Sequence, residues 1–178
     1  KLHFDDLYFQ HYFLFNTISH EMFHSVVVET WANISATFKQ EMECLKNHFN
    51  RTCGLYDEGS CNSGEQTFHE DGPDVEGMRV NYEFLTRNYN DDQLKEIVFT
   101  SDSLSVNREQ AFFYLFGIEY CTIIEPLNHT DTHSLSRVRV NGVLTQLPEF
   151  TSAFSCSPEQ AMYMEKEKTC NLFGPDSK

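Results

Sequence analysis

Histidines 20 and 24 flank a glutamate in the stretch Ser19-His20-Glu21-Met22-Phe23-His24-Ser25, an H-E-x-x-H spacing. Residues four apart share one face of an α-helix, so both imidazoles can address a single point. Two imidazole nitrogens suit Zn²⁺, and Glu21 beside them can take a proton from a metal-bound water. With 8 histidines in the chain, two on one helix also arise by chance, so this chemistry needs a third ligand. Glu70 can complete a His₂Glu set from the segment Phe68-His69-Glu70-Asp71-Gly72-Pro73-Asp74. Asp74, four residues further on, can accept a hydrogen bond from a ligand imidazole and fix its tautomer. Taken alone, that acidic cluster reads as a helix N-terminus carrying favourable charge. The upstream motif is what gives it chemical weight.

The elements that must position these groups are mainly helical. Apolar residues from Tyr8 to Val27 recur at three- and four-residue spacings, which predicts a helix over 5–29 with an aromatic core stripe. Trp31, Ile34, Phe38, Met42 and Leu45 predict a second helix over about 30–48. The Gly-, Ser- and Asn-rich stretch 50–64 reads as a loop, with Cys53 and Cys61 placed for a local disulfide. A helix starting near Glu70 would put Glu70 and Asp74 on one side. Gly72-Pro73 is awkward in a helix interior but tolerable in a first turn. Short helical signals follow over 91–99 and, more strongly, over 107–120. Val138 and Val140 alternate with Arg137 and Arg139, which reads as an extended piece ending at Asn141-Gly142. No repeat, low-complexity segment or linker interrupts 1–178, so the expectation is a single domain.

Composition narrows the function. The chain of 178 residues carries a net charge of −14, which argues against nucleic acid and anionic membrane as partners; an acidic surface suits basic peptides, but a soluble secreted surface is the stronger reading. Six cysteines and the sequons at Asn33, Asn50 and Asn128 point to an oxidising, glycosylating compartment. No apolar run reaches membrane-span length. The sequence starts at Lys1 and shows no signal peptide, so a processed piece or fragment of a longer chain is expected.

Taken in order, the landmarks resemble the C-terminal part of the neprilysin and endothelin-converting enzyme family of zinc metallopeptidases. His20-Glu21-x-x-His24 is followed by the Trp31…Phe38…Cys44 helix, Glu70-x-x-x-Asp74 and Gly77-Met78. Then come Gln110-x-Phe112-Phe113…Cys121, Asp131-x-His133-Ser134…Arg139, Pro148-Glu149-Phe150…Ala153-Phe154-x-Cys156 and Cys170-x-x-Phe173. The resemblance implies the C-terminal portion of a mainly α, thermolysin-like catalytic domain with its zinc site between two helices. It also implies one Zn²⁺ held by His20, His24 and Glu70, with Glu21 as general base and Asp74 as orienter. His133 would donate to the oxyanion, a role that the residues alone do not assign over His129 or His69. Arg139 would hold a substrate carbonyl. The implied substrate is an extracellular peptide, and the implied setting is secreted or the ectodomain of a membrane-anchored parent. A Cys44–Cys170 disulfide is implied as well, while Cys121 and Cys156 match cysteines whose partners lie in the family's N-terminal half.

The chain departs from the family pattern in ways that matter. Ser19 stands where a Gly usually precedes the motif, and His24-Ser25-Val26-Val27 replaces the H-G-F-D-D continuation. Positions that help line the specificity pocket fall at about Asn16, Thr17, Glu119 and Tyr120, more polar than the family norm. The alternative to a working endopeptidase is therefore a catalytically impaired fragment, or a non-catalytic zinc-binding or interaction module.

Overall fold

The computed structural model describes residues 9, 11–33, 35–56, 60–121 and 129–173. Among these the chain is mainly helical. Helices α1 (Tyr12–His24), α2 (Ala36–Tyr56) and α3 (Gly64–Asn88) come first, with a 3₁₀ turn at Glu29–Asn33 between α1 and α2. A short α4 (Asp91–Leu94) leads into a hairpin of β1 (Ile97–Thr100) and β2 (Ser105–Asn107). Then follow α5 (Arg108–Glu119), α6 (Ser136–Thr145) and α7 (Pro148–Ala153).

Helix α3 is the central element and packs against α1, α2 and α6. It begins where Ser63 caps the backbone N–H of Gln66. Every residue from Asp71 to Met78 is buried, so neighbours cover this helix on all sides. Pro73 sits in its interior, where the missing N–H leaves the His69 carbonyl without its helical donor, at a cost of about 3 kcal/mol. Close approach of α1 requires Gly77: a Cβ there would lie 3.2 Å from both the His20 backbone nitrogen and Ser19 Oγ. Buried Lys46 of α2 binds Glu29 and Glu65, each at 2.9 Å, and so ties the 3₁₀ turn and the start of α3 to α2.

Several expectations are corrected. The first helix ends at His24 rather than running to 29, residues 5–8 and 10 of the expected span lie outside the described residues, and its stripe is only partly core: Tyr12 is buried, but Phe13 and Met22 are exposed. The buried line of α1 continues instead through the polar residues Asn16 and Ser19. Helix α2 runs on to Tyr56, replacing the first half of the loop expected over 50–64. The residues after Leu94 turn into β1 rather than extending a helix to Phe99. The stretch around Val138 and Val140 is helix α6, not an extended piece. Its Asn-Gly pair is not a hairpin turn, because Gly142 lies against the Phe49 ring, where a Cβ would come within 2.5 Å. Helix α5 agrees with expectation and starts with a reciprocal capping box between Asn107 and Gln110.

Disulfides join Cys44 to Cys170 and Cys53 to Cys61, with sequence separations of 126 and 8. Cys121 is exposed and Cys156 half-buried, both as free thiols. Loop-closure entropy scales with the logarithm of loop length, so the long bridge is worth about 5 kcal/mol and the short one about 2.5 kcal/mol. Urea unfolding should accordingly show Cys170→Ser losing roughly twice the stability lost by Cys61→Ser.

His48 is buried and donates from Nε2 to the Gly142 carbonyl at 2.8 Å, linking α2 to α6. Burial lowers its pKa from 6.5 to about 4. The unfolded chain then binds more protons between pH 4 and 6.5, so stability falls as pH drops through that window, by up to about 3 kcal/mol. His48→Gln should flatten this part of the pH–stability curve.

Candidate metal centre and its supporting residues

The C-terminal half of α1 presents His20 and His24 edge-to-face, with their Nε2 atoms 3.0 Å apart. Glu70 of α3 brings Oε2 to 3.3 Å from His20 Nε2 and 3.4 Å from His24 Nε2. Donors held about 2.0–2.1 Å from a tetrahedral ion lie about 3.3 Å apart, so these three atoms have the mutual spacing of a zinc ligand set. His20 Nδ1 donates to Asp74 Oδ1 at 2.7 Å, which turns its Nε2 towards Glu70 and His24. Two imidazole nitrogens and a carboxylate oxygen this close repel unless a proton or a cation lies among them. The residues present therefore fit a divalent metal. Glu21 is exposed, and a carboxylate oxygen lies within 4.8 Å of ring nitrogens of both histidines.

Asp74 is buried and holds a second partner. Arg139 of α6 binds it through Nε to Oδ2 and through Nη2 to Oδ1, the latter at 2.9 Å. The guanidinium carbon also lies 4.6 Å from the centroid of the Tyr120 ring. Burial alone would raise the Asp74 carboxyl, but the hydrogen bond from His20 and the charge of Arg139 outweigh it and hold the group below its usual range. The family resemblance implies that Arg139 holds a substrate carbonyl; here two of its donor groups already serve Asp74.

His133 reaches the centre from the loop before α6. Its Nε2 is 3.2 Å from Glu70 Oε2, and its Nδ1 is 2.8 Å from Asp131 Oδ1, which also accepts the His133 backbone N–H at 2.9 Å. Of the alternatives, His69 lies 3.9 Å from Glu29 and His129 is exposed. The loop hangs from the start of α3. Asn62 Nδ2 donates to the Asp131 carbonyl at 2.8 Å. Gln66 Nε2 donates to the carbonyls of Asp131 and His129, at 2.6 and 2.8 Å. Asp71 Oδ2 accepts from Thr67 at 2.6 Å and from Ser134 at 2.9 Å. Burial pushes the Asp71 carboxyl up to about 8. Sequence reasoning gave Asn62, Gln66, Thr67 and Asp71 no role. Asp131 carried a signal in its two-residue spacing from His133; the others carry none.

The sequons separate in their settings. Asn33 is exposed at the end of the 3₁₀ turn. Asn50 lies inside α2, its Oδ1 accepts the Gly64 N–H at 2.8 Å, and the Thr52 side chain of its sequon is buried. The loop that an acceptor there requires is thus absent. Asn128 lies outside the described residues.

The chain is mainly helical and brings H-E-x-x-H together with a glutamate from a second helix, the donor types of a His₂Glu metallopeptidase site. The description "Peptidase family M13" matches residues 9–170, and the chain belongs to that family. It is 29% identical over 138 residues to endothelin-converting enzyme 1 of Cavia porcellus, covering 74% of this chain and 18% of that protein. It is 28% identical over 153 residues to neprilysin of Homo sapiens, covering 83% and 20%, and 26% identical over 130 residues to neprilysin-3 of Drosophila melanogaster, covering 70% and 16%. The chain thus spans about a fifth of the length of these relatives. No solved structure matches it.

Metal binding at this point would be linked to protons through His20. Burial lowers its pKa, but hydrogen bonds to Asp74 and then Glu70 overcome this and raise it from 6.5 to about 9. That raised value stabilises the metal-free fold fully below pH 6.5, and the contribution is lost as pH climbs through 9. Zinc needs the neutral ring, so binding at pH 7 should release about one proton from His20. Calorimetry in two buffers of different ionisation enthalpy should show that release shrinking towards zero above pH 9.

Proposed function

We propose that this chain carries the zinc-binding and catalytic residues of an M13 metalloendopeptidase that hydrolyses extracellular peptides. The observation that carries the reading is the convergence of His20, His24 and Glu70, with Glu21 and His133 at the edge of the same point. One zinc ion held by those three ligands would supply Lewis acidity and acidify the attacking water. Glu21 takes the proton from that water and passes it to the leaving amine. His133 donates from Nε2 to the oxygen on which negative charge develops, with its other nitrogen held by Asp131. Asp74 keeps His20 in the tautomer that presents Nε2. Arg139 anchors Asp74 and has one amino group left for a substrate carbonyl.

The disulfides and the exposed sequon at Asn33 support an oxidising, extracellular setting. Among the described residues no helix is long and apolar enough to cross a membrane. A second reading, a zinc-binding module without turnover, draws support from the free Cys121 and Cys156 and from the exposure of Glu21.

Glu21→Gln separates the two. It should leave one zinc per chain and lower chelator-sensitive peptide cleavage by at least about a hundredfold. Cleavage unchanged by the substitution would refute the peptidase reading. Stoichiometric zinc without cleavage in the unaltered chain would favour the module.

A further inference from the structure

The bridge between Cys53 and Cys61 lies apart from the metal point, yet a continuous chain of contacts leads from it to His133. Cys53 is buried on α2 and belongs to the core. Cys61 directly precedes Asn62, so the bridge fixes the backbone at Asn62 relative to α2. The same corner is tied down at Gly64. Its N–H donates to Asn50 Oδ1 at 2.8 Å, and a Cβ there would come within 2.1 Å of the Lys46 carbonyl oxygen. The start of α3 is thus registered closely against α2.

From that corner Asn62 reaches across to the loop before α6. Its Nδ2 donates to the Asp131 carbonyl at 2.8 Å, and Gln66 Nε2 donates to the same oxygen at 2.6 Å. Asp131 in turn accepts both the backbone N–H and the Nδ1 of His133 on Oδ1. His133 is 48% exposed and Asp131 46% exposed, so packing leaves both room to move and polar contacts set where His133 Nε2 lies. The metal donors do not depend on this corner. His20 and His24 lie on α1, and Glu70 opens the stretch of α3 in which every residue from Asp71 to Met78 is buried.

We propose that the Cys53–Cys61 bridge tunes the rate of catalysis through Asn62, the positioning residue that carries its effect to His133, and leaves metal binding untouched. A displaced oxyanion donor weakens binding of the transition state and not of the substrate, so kcat responds while KM does not. The inference rests on the reading of the centre as a zinc peptidase site with His133 as oxyanion donor.

The test compares four full chains loaded with zinc, with metal content measured first: the unaltered chain, Asn62→Ala, the double variant Cys53→Ala/Cys61→Ala, and the triple variant. Peptide cleavage gives kcat and KM, and NMR gives hydrogen exchange at the His133 backbone amide. Asn62→Ala should lower kcat roughly fivefold, the loss expected of one hydrogen bond, with KM and zinc content unchanged. Removing the bridge should lower kcat by a similar factor. The triple variant should lose no more, because both changes break the same contact. Exchange at His133 should quicken by a like factor in all three variants, while the amides of α1 stay as they were. Losses that multiply in the triple variant, loss of zinc, a rise in KM in place of the fall in kcat, or unchanged kcat and exchange without the bridge would each overturn the proposal. An unaltered chain that holds zinc but does not cleave would overturn the peptidase reading. Equal, non-multiplying exchange in the three variants would then support the clamp by itself, and unchanged exchange would overturn it. A double variant that does not fold would show that the bridge acts on the whole chain and would overturn its local role, and Asn62→Ala would still test the positioning of His133.

Discussion

The carboxylate of Asp74 is the interaction on which the site depends. A carboxylate buried among helices costs several kcal/mol unless it is paired and hydrogen-bonded. Asp74 meets that requirement in two directions, with His20 Nδ1 on α1 and the Arg139 guanidinium on α6. The pairing decides which nitrogen of His20 faces the metal point. It also couples elements far apart in sequence, because the position of α6 now affects the orientation of a residue on α1. Loss of one partner would leave the remaining buried charges unbalanced, which makes the three residues one unit rather than a pair with an accessory.

Helix α3 organises the opposite side by the same economy. Glu70 and Asp71 are adjacent, and so are His133 and Ser134. Glu70 faces His133, while Asp71 accepts from Ser134. Two consecutive residues of a buried helix thus hold two consecutive residues of a loop. Gln66 and Asn62, about one and two turns earlier, hold the preceding carbonyls. The oxyanion donor proposed at His133 therefore inherits its position from the helix that supplies Glu70. A helix that carries so much polar function needs close packing to stay ordered, and Gly77 gives α1 the approach it requires.

His20, His24, Glu70 and Asp74 were legible because the relevant spacings are local, whereas His133 and Arg139 came from family resemblance. His20 and His24 share a face within one helix, and so do Glu70 and Asp74. The surroundings were much less legible. Periodicity detects a helix with one wet side, but Asp71 to Met78 is buried all round and shows no such contrast. In α6 both Val138 and Arg139 are buried, so its pattern mimicked strand alternation. On α1 the buried line runs through Asn16 and Ser19, which an apolar count overlooks. Pro73 and the Asn141-Gly142 pair were read by their usual turn chemistry, and tertiary packing overrode it. The Cys44–Cys170 pairing came from family resemblance, since six cysteines alone leave many connectivities open.

Metal binding and turnover place different demands on this architecture. Metal binding needs donors at set distances; α1 and α3 bring His20, His24 and Glu70 to such distances, with Asp74 orienting His20. Turnover also needs the developing charge to be met where water does not compete, since a dipole aimed at an oxyanion is worth far more in a low-dielectric site. His24 is 33% exposed and His133 48% exposed, and Glu21 is exposed on the same side. Solvent there would weaken both the proposed oxyanion contact and the proposed proton transfer, while barely affecting the ligand geometry behind them. On the proposed reading, metal affinity would be set by the helices of this chain, and catalytic rate by how far the face of α1 that carries Glu21 is shielded from water when a peptide lies across it.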